Sequence, residues 1–183
     1  MKRIVLLAAM MGVLAAADDG PQYTADGRLV RPANYREWIY VSSGLGMTYG
    51  PAVKMAHDMN PSFDNVFVTR AAYQSFMETG KWPDKTMFVL EVRAAESKGS
   101  INHGGHFQGG LGGIEVEVKD ESRFPGKWAF FGFEKSMAPA KALAPSADCY
   151  SCHAAHGALD NTFVQFYPTL LPVARAKGTL QEK

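Results

Sequence analysis

The sequence predicts an α+β fold, in which a mostly antiparallel β-sheet of about five strands precedes a helical segment near the C-terminus. Two runs have the two-residue period of strands: residues 86–94 gather apolar side chains on one face, and residues 114–119 alternate strictly between apolar and charged. A pattern with helical spacing, residues 161–176, follows the last strand. With 46% hydrophobic residues, the chain has enough apolar material for a core.

Residues 1–17 have the three parts of a secretory signal peptide. Lys2 and Arg3 are positive, residues 4–14 are almost wholly apolar, and three alanines ending at Ala17 offer a cleavage site. The apolar run is short for a bilayer span, which disfavours an uncleaved anchor. We expect cleavage after Ala17 and export to a bacterial periplasm, with no membrane anchor left on the mature chain.

The mature chain is expected to be one domain of ordinary size with little net charge. Removing the signal takes away Lys2 and Arg3 and shifts the formal net charge from +1 to −1. Such a balance gives no reason to expect nucleic acid or an anionic membrane as a partner. Residues 18–34 predict a polar, loosely held arm, and residues 35–183 predict a single domain.

The first half of the domain predicts two strands and a helix. Residues 35–41, which are aromatic and β-branched, predict a short strand. Residues 42–61 are rich in Gly, Met and Pro and predict irregular structure, whereas residues 63–69 have strong β propensity. Residues 70–79 predict a helix that Gly80 ends.

The strand predicted over residues 86–94 separates its side chains by face. Phe88 and Leu90 share one face, whereas Glu91 and Arg93 share the other. We therefore expect Glu91 and Arg93 to pair with each other on the face opposite Leu90.

The remaining segments of the domain are predicted from their glycine, alternating and aromatic patterns. The glycine-rich residues 97–113 predict a loop or a pair of tight turns. Residues 114–119 predict a strand with one wet face, and the aromatic run 128–133 predicts a central strand. Pro168 and Pro172 must kink or break the C-terminal helix.

The only two cysteines of the chain carry its most specific motif. Cys149 and Cys152 lie three positions apart, and His153 follows directly, which is the C-x-x-C-H signature of c-type haem attachment. On one helical turn, two such thiols can reach the two vinyl groups of one porphyrin and form thioethers. The next imidazole can then bind the iron. We expect one haem c, attached through Cys149 and Cys152, with His153 as the proximal ligand.

Three other readings of the two cysteines are less favoured. A redox C-x-x-C is expected near the first strand of a thioredoxin-like pattern, and this motif lies close to the C-terminus. A zinc site needs a second C-x-x-C or a pair of histidines downstream, and the sequence has neither. A lone disulfide does not explain the histidine that follows.

The sixth iron ligand separates electron carriers, which have two strong protein ligands, from proteins with an open distal site. No Met follows His153, and His156 lies on the same helix, so it cannot reach the opposite haem face. The upstream candidates are Met47, Met55, Met59, Met77, Met87, Met137, His57, His103 and His106. Met usually fills cores, and the two loop histidines, which could overhang the site or bind a metal, are more often solvated. We expect a five-coordinate haem.

Several segments, in this order, resemble the cytochrome P-460 family and its close relatives, the cytochromes c′-β. They are residues 35–38, 65–68 with Tyr73, 79–82, 86–91, 126–130 and 149–153, followed by Phe163, Phe166, Tyr167 and Pro168. The helical cytochromes c′ also have a late haem motif, but this chain does not contain four long helical patterns.

The resemblance implies a β-rich fold, a homodimer and a five-coordinate haem bound by His153. Cytochromes P-460 carry a lysine that cross-links to the porphyrin and supports hydroxylamine oxidation, and this position falls at Leu90. Leucine cannot form that bond, so the chain looks more like a cytochrome c′-β, with an apolar distal pocket that binds NO or CO. Leu90, Phe88 and Phe107 are the expected pocket walls, with ordinary core packing as the alternative for the two rings.

The leading function is therefore the binding of NO or CO for sensing, buffering or detoxification. The first alternative is an enzyme that oxidises hydroxylamine or NO, and the second is an electron-transfer cytochrome c with a redox partner protein. The missing lysine at Leu90 favours a ligand-binding protein over an enzyme.

Replacing Cys149 or Cys152 by serine should leave at most one thioether, because each cysteine supplies one bond to the porphyrin. Acid–acetone extraction of the double variant should remove all the haem. Haem that survived extraction without either cysteine would overturn the assignment.

Overall fold

The computed structural model describes residues 19–48 and 61–181, and its centre is a five-stranded antiparallel sheet. The strands are β1 (Ile39–Leu45), β2 (Ser62–Val68), β3 (Met87–Glu96), β4 (Phe107–Lys119) and β5 (Trp128–Glu134), and they lie side by side in chain order. The α-helices of this part of the chain are α1 (Arg70–Thr79), α2 (Asp148–His156) and α3 (Leu171–Ala176). The predicted α+β fold, with about five strands and a helical C-terminal segment, is confirmed.

The register of the sheet decides which side chains share a face. Leu90 on β3 pairs with Val66 on β2 and Glu115 on β4, and Glu117 pairs with Phe88 and Phe130. Directly paired residues of antiparallel strands point to the same side of the sheet. We call this side the site face; the residues just placed on it are Val66, Phe88, Leu90, Glu115, Glu117 and Phe130.

A hydrophobic core lies on each side of the sheet. The core of the site face packs α1 and α3 against the sheet, with Phe76 and Trp82 at 4.1 Å and Trp82 and Phe88 at 4.8 Å between ring centroids. The opposite side, the back face, has a core of its own; its members include Leu29, Tyr35, Trp38, Val89, Ile114, Val116 and Phe131. The sheet is therefore a middle layer, buried on both sides over much of its area.

The first predicted strand begins later than expected. Tyr35–Glu37 forms a 3-10 turn, and β1 starts at Ile39. Tyr35 and Trp38 are both buried in the back-face core. A 3-10 turn brings residues i and i+3 to one side, whereas a strand would send them to opposite faces.

The predicted glycine loop is partly strand. β4 is 13 residues long and begins at Phe107, so residues 107–113 belong to the sheet. Its glycines make room for β3 side chains: Glu96 covers Gly109, and a Cβ added at Gly112 would meet Val92 at 3.3 Å. Cross-strand fit outweighed the turn propensity of glycine here.

β5 is an edge strand of the described sheet, although its aromatic run predicted a central one. Trp128 belongs to the site-face core and Phe131 to the back-face core. The run is apolar because other parts of the protein cover both faces of β5. An edge strand can be covered on both faces just as a central strand can, so the apolar run did not distinguish the two positions.

The predicted C-terminal helix is broken, as its two prolines require. A 3-10 turn occupies Val164–Phe166, and α3 begins only at Leu171, with Pro172 in its first turn. Proline is tolerated at a helix start because its missing N–H would have no partner there.

The N-terminal arm is held more firmly than predicted. Leu29 is fully buried, and its backbone exchanges hydrogen bonds of 2.8 and 3.0 Å with Ala140. The predicted signal peptide and most of the irregular segment 42–61 lie outside the described residues. Within residues 19–48 and 61–181, no helix is long and apolar enough to cross a membrane.

Glu91 lies in a buried polar network on the back face. Its carboxylate, 1% exposed, accepts hydrogen bonds from Tyr35, Arg36, Arg93 (2.7 Å) and Asn65 (3.2 Å). The predicted pairing of Glu91 with Arg93 is confirmed. Burial favours the neutral acid, but the hydrogen bonds from Arg93 and Tyr35 and the nearby guanidinium charges hold the pKa of Glu91 below its ordinary value.

Glu91→Ala should lower the free energy of unfolding by about 3–5 kcal/mol, because it leaves Arg93 without its buried partner. Urea denaturation of the holoprotein measures the loss, and Glu78→Ala on the exposed side of α1 is the matched control. The lowered pKa makes the contribution of Glu91 complete above about pH 4.3, and it is lost as the pH falls through the lower, folded value. Equal urea midpoints for the two variants would contradict the assignment.

Candidate haem-binding site

Helix α2 carries the cysteine motif and packs on the site face over β5. The Tyr150 ring meets Phe130 edge-on at 4.9 Å, and the His153 ring lies 4.5 Å from the same Phe130 ring. Cys149 and Cys152, one helical turn apart, are free thiols and partly exposed. Burial raises the pKa of Cys149, and the negative charge of nearby Glu115 adds to this rise.

His153 is held on two sides by rings and at one nitrogen by a hydrogen bond. Its ring lies 4.5 Å from Phe130 and 4.4 Å from Phe163. Its Nδ1 lies 2.8 Å from the backbone carbonyl of Asn161. A carbonyl can only accept, so Nδ1 carries the proton and Nε2 keeps the lone pair that a metal requires.

Glu117 is a second acceptor beside His153 that the sequence reasoning missed. Its Oε1 lies 3.4 Å from Nδ1 and has no hydrogen-bond partner, and the side chain is only 11% exposed. Burial raises the pKa of Glu117, against the opposing effect of His153. Burial also lowers the basicity of His153, but Glu117 outweighs it, and the pKa of His153 is raised.

Glu115, the other carboxylate of the site face, stands directly opposite Leu90. It is exposed by area, yet the surrounding protein raises the pKa of its carboxyl by burial, and the negative Asp64 raises it further. Strict alternation did identify the shared face of residues 115, 117 and 119, but the prediction that this face is wet is wrong for Glu117 and for Lys119, which is 7% exposed.

The three predicted pocket walls occupy different places. Leu90 is half-buried in the middle of the site face. Phe88 is 3% exposed and packs against Trp82 at 4.8 Å, so its contacts are those of a core residue. Phe107 pairs with Glu96, six residues beyond Leu90 along β3 or about 20 Å away, and is 40% exposed. The structure does not bring Phe107 to Leu90 within one chain.

Most of the candidate sixth ligands that the structure describes are either exposed or buried on the back face. Met87 is in the back-face core, Met77 and Met137 are exposed, and so are His103 and His106. Met55, Met59 and His57 lie outside the described residues.

Met47 lies on the site face, but at its far edge. Its side chain covers Gly44, which pairs with Asp64 on β2. Gly44 belongs to β1, three strands from the β4 strand that carries Glu117, or about 14 Å.

The residues present fit a haem at this place. Two free thiols and an imidazole with an available Nε2 stand on one helix, next to a sheet face where Val66 and Leu90 are only half-buried. A family model described as Cytochrome P460 matches residues 32–164, from the first 3-10 turn to just beyond the cysteine motif. The chain belongs to the cytochrome P-460 family. It is accordingly a haem-binding cytochrome, and the predicted resemblance is confirmed. No curated protein matches this cytochrome by sequence.

His153→Gly in this cytochrome should open a slot of imidazole shape between the rings of Phe130 and Phe163. We expect free imidazole to enter it and restore the optical spectrum of the holoprotein, because both rings stay in place. His156→Gly, at the exposed end of the same helix, is the matched control and should need no imidazole. A His153→Gly spectrum equal to the wild-type one without imidazole would rule out His153 as the ligand.

Proposed function

We propose that this protein is a periplasmic mono-haem c-type cytochrome that binds NO or CO at a five-coordinate haem, for NO binding, sensing or detoxification. In this proposal Cys149 and Cys152 hold the haem covalently, and His153 is the proximal ligand. The haem iron supplies the position at which the gas binds. The observation that carries the proposal is Leu90, an aliphatic side chain in the middle of the site face. The resemblance to cytochromes P-460 implies that their cross-linking lysine falls at this position.

The proximal side of the proposal rests on the orientation of His153. The hydrogen bond from Nδ1 to Asn161 and the flanking Phe130 and Phe163 rings fix the imidazole, so that only Nε2 is available to iron. A proximal histidine held in this way binds iron with its tautomer and ring plane already set.

The distal side of the proposal rests on the apolar pair Leu90 and Val66. These two side chains pair across neighbouring strands and offer no hydrogen bond to a ligand. Neutral NO and CO lose little by leaving water for such a surface, whereas a ligand that needs hydrogen bonds would be desolvated without compensation. The Leu90–Val66 part of the distal surface should therefore favour NO and CO over O₂ or peroxide, and the polar group beside it is Glu115, which pairs with Leu90.

We also propose that the protein is a homodimer and that a redox partner protein sets its oxidation state. Tyr40 and Leu45 on the edge strand β1 are about half-exposed, at 54% and 47%; Tyr40 pairs with Phe67 and Leu45 with Phe63. Exposed apolar side chains on a sheet edge favour association. Light scattering of the holoprotein at several concentrations tests the dimer, and a monomer at all of them would refute it.

A ferrous spectrum with and without CO tests the proposed function. We expect a high-spin Soret band that shifts on CO binding, and CO association that is several-fold faster in Leu90→Ala because the side chain no longer obstructs entry. Leu111→Ala, which truncates a half-buried leucine packed on the back face, is the matched control. A low-spin spectrum indifferent to CO would identify an electron carrier instead. Tryptic haem peptides should contain residues 149–153 and nothing from the strand around Leu90.

Glu115 favours a second candidate function, the oxidation of hydroxylamine. That reaction releases protons, and a carboxylate with a raised pKa beside the substrate can accept them. Glu115 stands directly opposite Leu90 on the site face, so it is the described group best placed for this role. A redox partner would have to accept the electrons.

Hydroxylamine-dependent reduction of an artificial electron acceptor separates the two functions. We expect no turnover by the wild-type holoprotein, and unchanged CO binding in Glu115→Gln, because CO carries no proton for Glu115 to accept. If the wild-type protein turns over and Glu115→Gln loses most of that rate, the enzyme function replaces the gas-binding one. Glu134→Gln, on the exposed end of β5, controls for the loss of one carboxylate.

A further inference from the structure

A strained turn follows α2 and presents the backbone carbonyl that accepts the hydrogen bond of His153. Asp160 and Asn161 have φ values of 46° and 62°, both in the left-handed region. Asp and Asn tolerate this region better than other residues with a side chain. Leu159 and Thr162, which close the turn by a β-bridge, are buried. The backbone of residues 159–162, which we call the proximal turn, is thus held in an unusual conformation by its surroundings.

Three side chains from the body of the protein anchor the proximal turn. Trp82 Nε1 donates to Thr162 Oγ1 at 2.9 Å. Lys119 Nζ donates to Asp160 Oδ2 at 2.7 Å, and Trp128 Nε1 donates to Asp160 Oδ1 at 3.2 Å. Both carboxylate oxygens of Asp160 are therefore engaged, one from the end of β4 and one from the start of β5.

The bond from Lys119 is the strongest of these anchors. The Lys119 side chain is only 9% exposed, and its ammonium also donates to the Trp82 carbonyl at 2.9 Å. A nearly buried ammonium is costly without a close anion. Asp160 is its nearest carboxylate, since Glu121 lies at 3.5 Å and is 43% exposed. Lys119 thus holds the Asp160 side chain in place, and the proximal turn, which contains Asp160, is held with it.

The position of the proximal turn decides which acceptor receives the hydrogen bond from Nδ1 of His153. The Asn161 carbonyl lies at 2.8 Å and the Glu117 carboxyl at 3.4 Å, so the two acceptors compete for one donor. A carboxylate acceptor makes a metal-bound imidazole more basic than a neutral carbonyl does. The strength of the bond from histidine to iron, and the reduction potential of the haem, depend on that basicity.

We propose that Asp160 is a positioning residue for His153: together with Lys119 and Trp128, it holds the proximal turn so that the neutral Asn161 carbonyl, and not Glu117, accepts the Nδ1 hydrogen bond. This inference rests on the proposed ligation of iron by His153. Asp160 touches neither haem nor ligand in this role and acts through Asn161 and His153.

Asp160→Gly is the direct test, because glycine keeps the left-handed backbone and removes both anchors. We expect the Asn161 carbonyl to withdraw and Glu117 to take the hydrogen bond. The iron–histidine stretching band in the resonance Raman spectrum of the ferrous holoprotein should then move to higher frequency, and the reduction potential should fall. Asp160→Asn keeps the preference for the left-handed region and one acceptor oxygen, but it offers Lys119 no charge, so it should shift the band in the same direction by less than Asp160→Gly does.

Further variants separate positioning from a general loss of structure. Lys119→Met removes the hydrogen bond to Asp160 from the side of the sheet and should shift the iron–histidine band in the same direction. If Asp160→Gly yields no holoprotein, Lys119→Met is the deciding variant. Adding Glu117→Gln to Asp160→Gly should cancel the upward shift. Glu121→Gln removes another carboxylate near Lys119 without touching the turn and should change nothing.

An unchanged or lowered frequency in Asp160→Gly would overturn the inference, and so would an upward shift that persists in the double variant. The wild-type spectrum shows whether the proposed function itself has failed. A wild-type protein without covalent haem, or without an iron–histidine band, refutes the proposed function. A normal wild-type band with unshifted variants refutes only the role of Asp160.

Discussion

The antiparallel register of β3, β4 and β5 is the constraint on which the site depends. It places Leu90 opposite Glu115, and Glu117 opposite Phe130, on the face against which α2 packs. A slip of one residue would turn all these side chains to the back face. The bulges that disturb the pairing of β4 lie at or before Glu115, so the pairs from Glu115 to Lys119 stay regular. The sheet can thus act as a rigid base for α2 and the proximal turn.

The pKa values of carboxylates are shifted in opposite directions on the two faces of this sheet. On the back face, cations and a tyrosine surround Glu91, and its pKa is lowered. On the site face, the described residues do not surround Glu115 or Glu117 with such cations, and burial raises the pKa of each. Buried carboxylates that are paired with cations mainly stabilise a fold. Carboxylates whose pKa is strongly shifted concentrate where proteins bind ligands or move protons. The raised pKa values of Glu115 and Glu117 agree with a ligand-binding role for the site face.

Aromatic rings connect the sheet to α2 and to the segment that follows it. Phe130 from β5 contacts Tyr150 and His153, and Phe163 closes the other side of the imidazole. The prolines stop helix formation soon after Phe163, so the chain turns back over the sheet instead of continuing away from it. The 3-10 turn and α3 that result cover the core beside the site. The ring packing and the interrupted helix together hold His153 in place.

The sequence by itself determined the parts of this protein that depend on neighbours along the chain. Cys149, Cys152 and His153 share one helical turn, and Leu90 and Glu91 point to opposite faces because strands alternate, so spacing alone predicts both facts. Tertiary structure decided what depends on distant segments: that Phe107 joins the sheet away from Leu90, that β5 forms an edge, and that Glu117 and Asp160 meet the surroundings of His153. Those contacts join residues that are far apart in the sequence. The spacing of apolar residues within one strand shows which side chains share a face, but it does not show which helix will pack on that face.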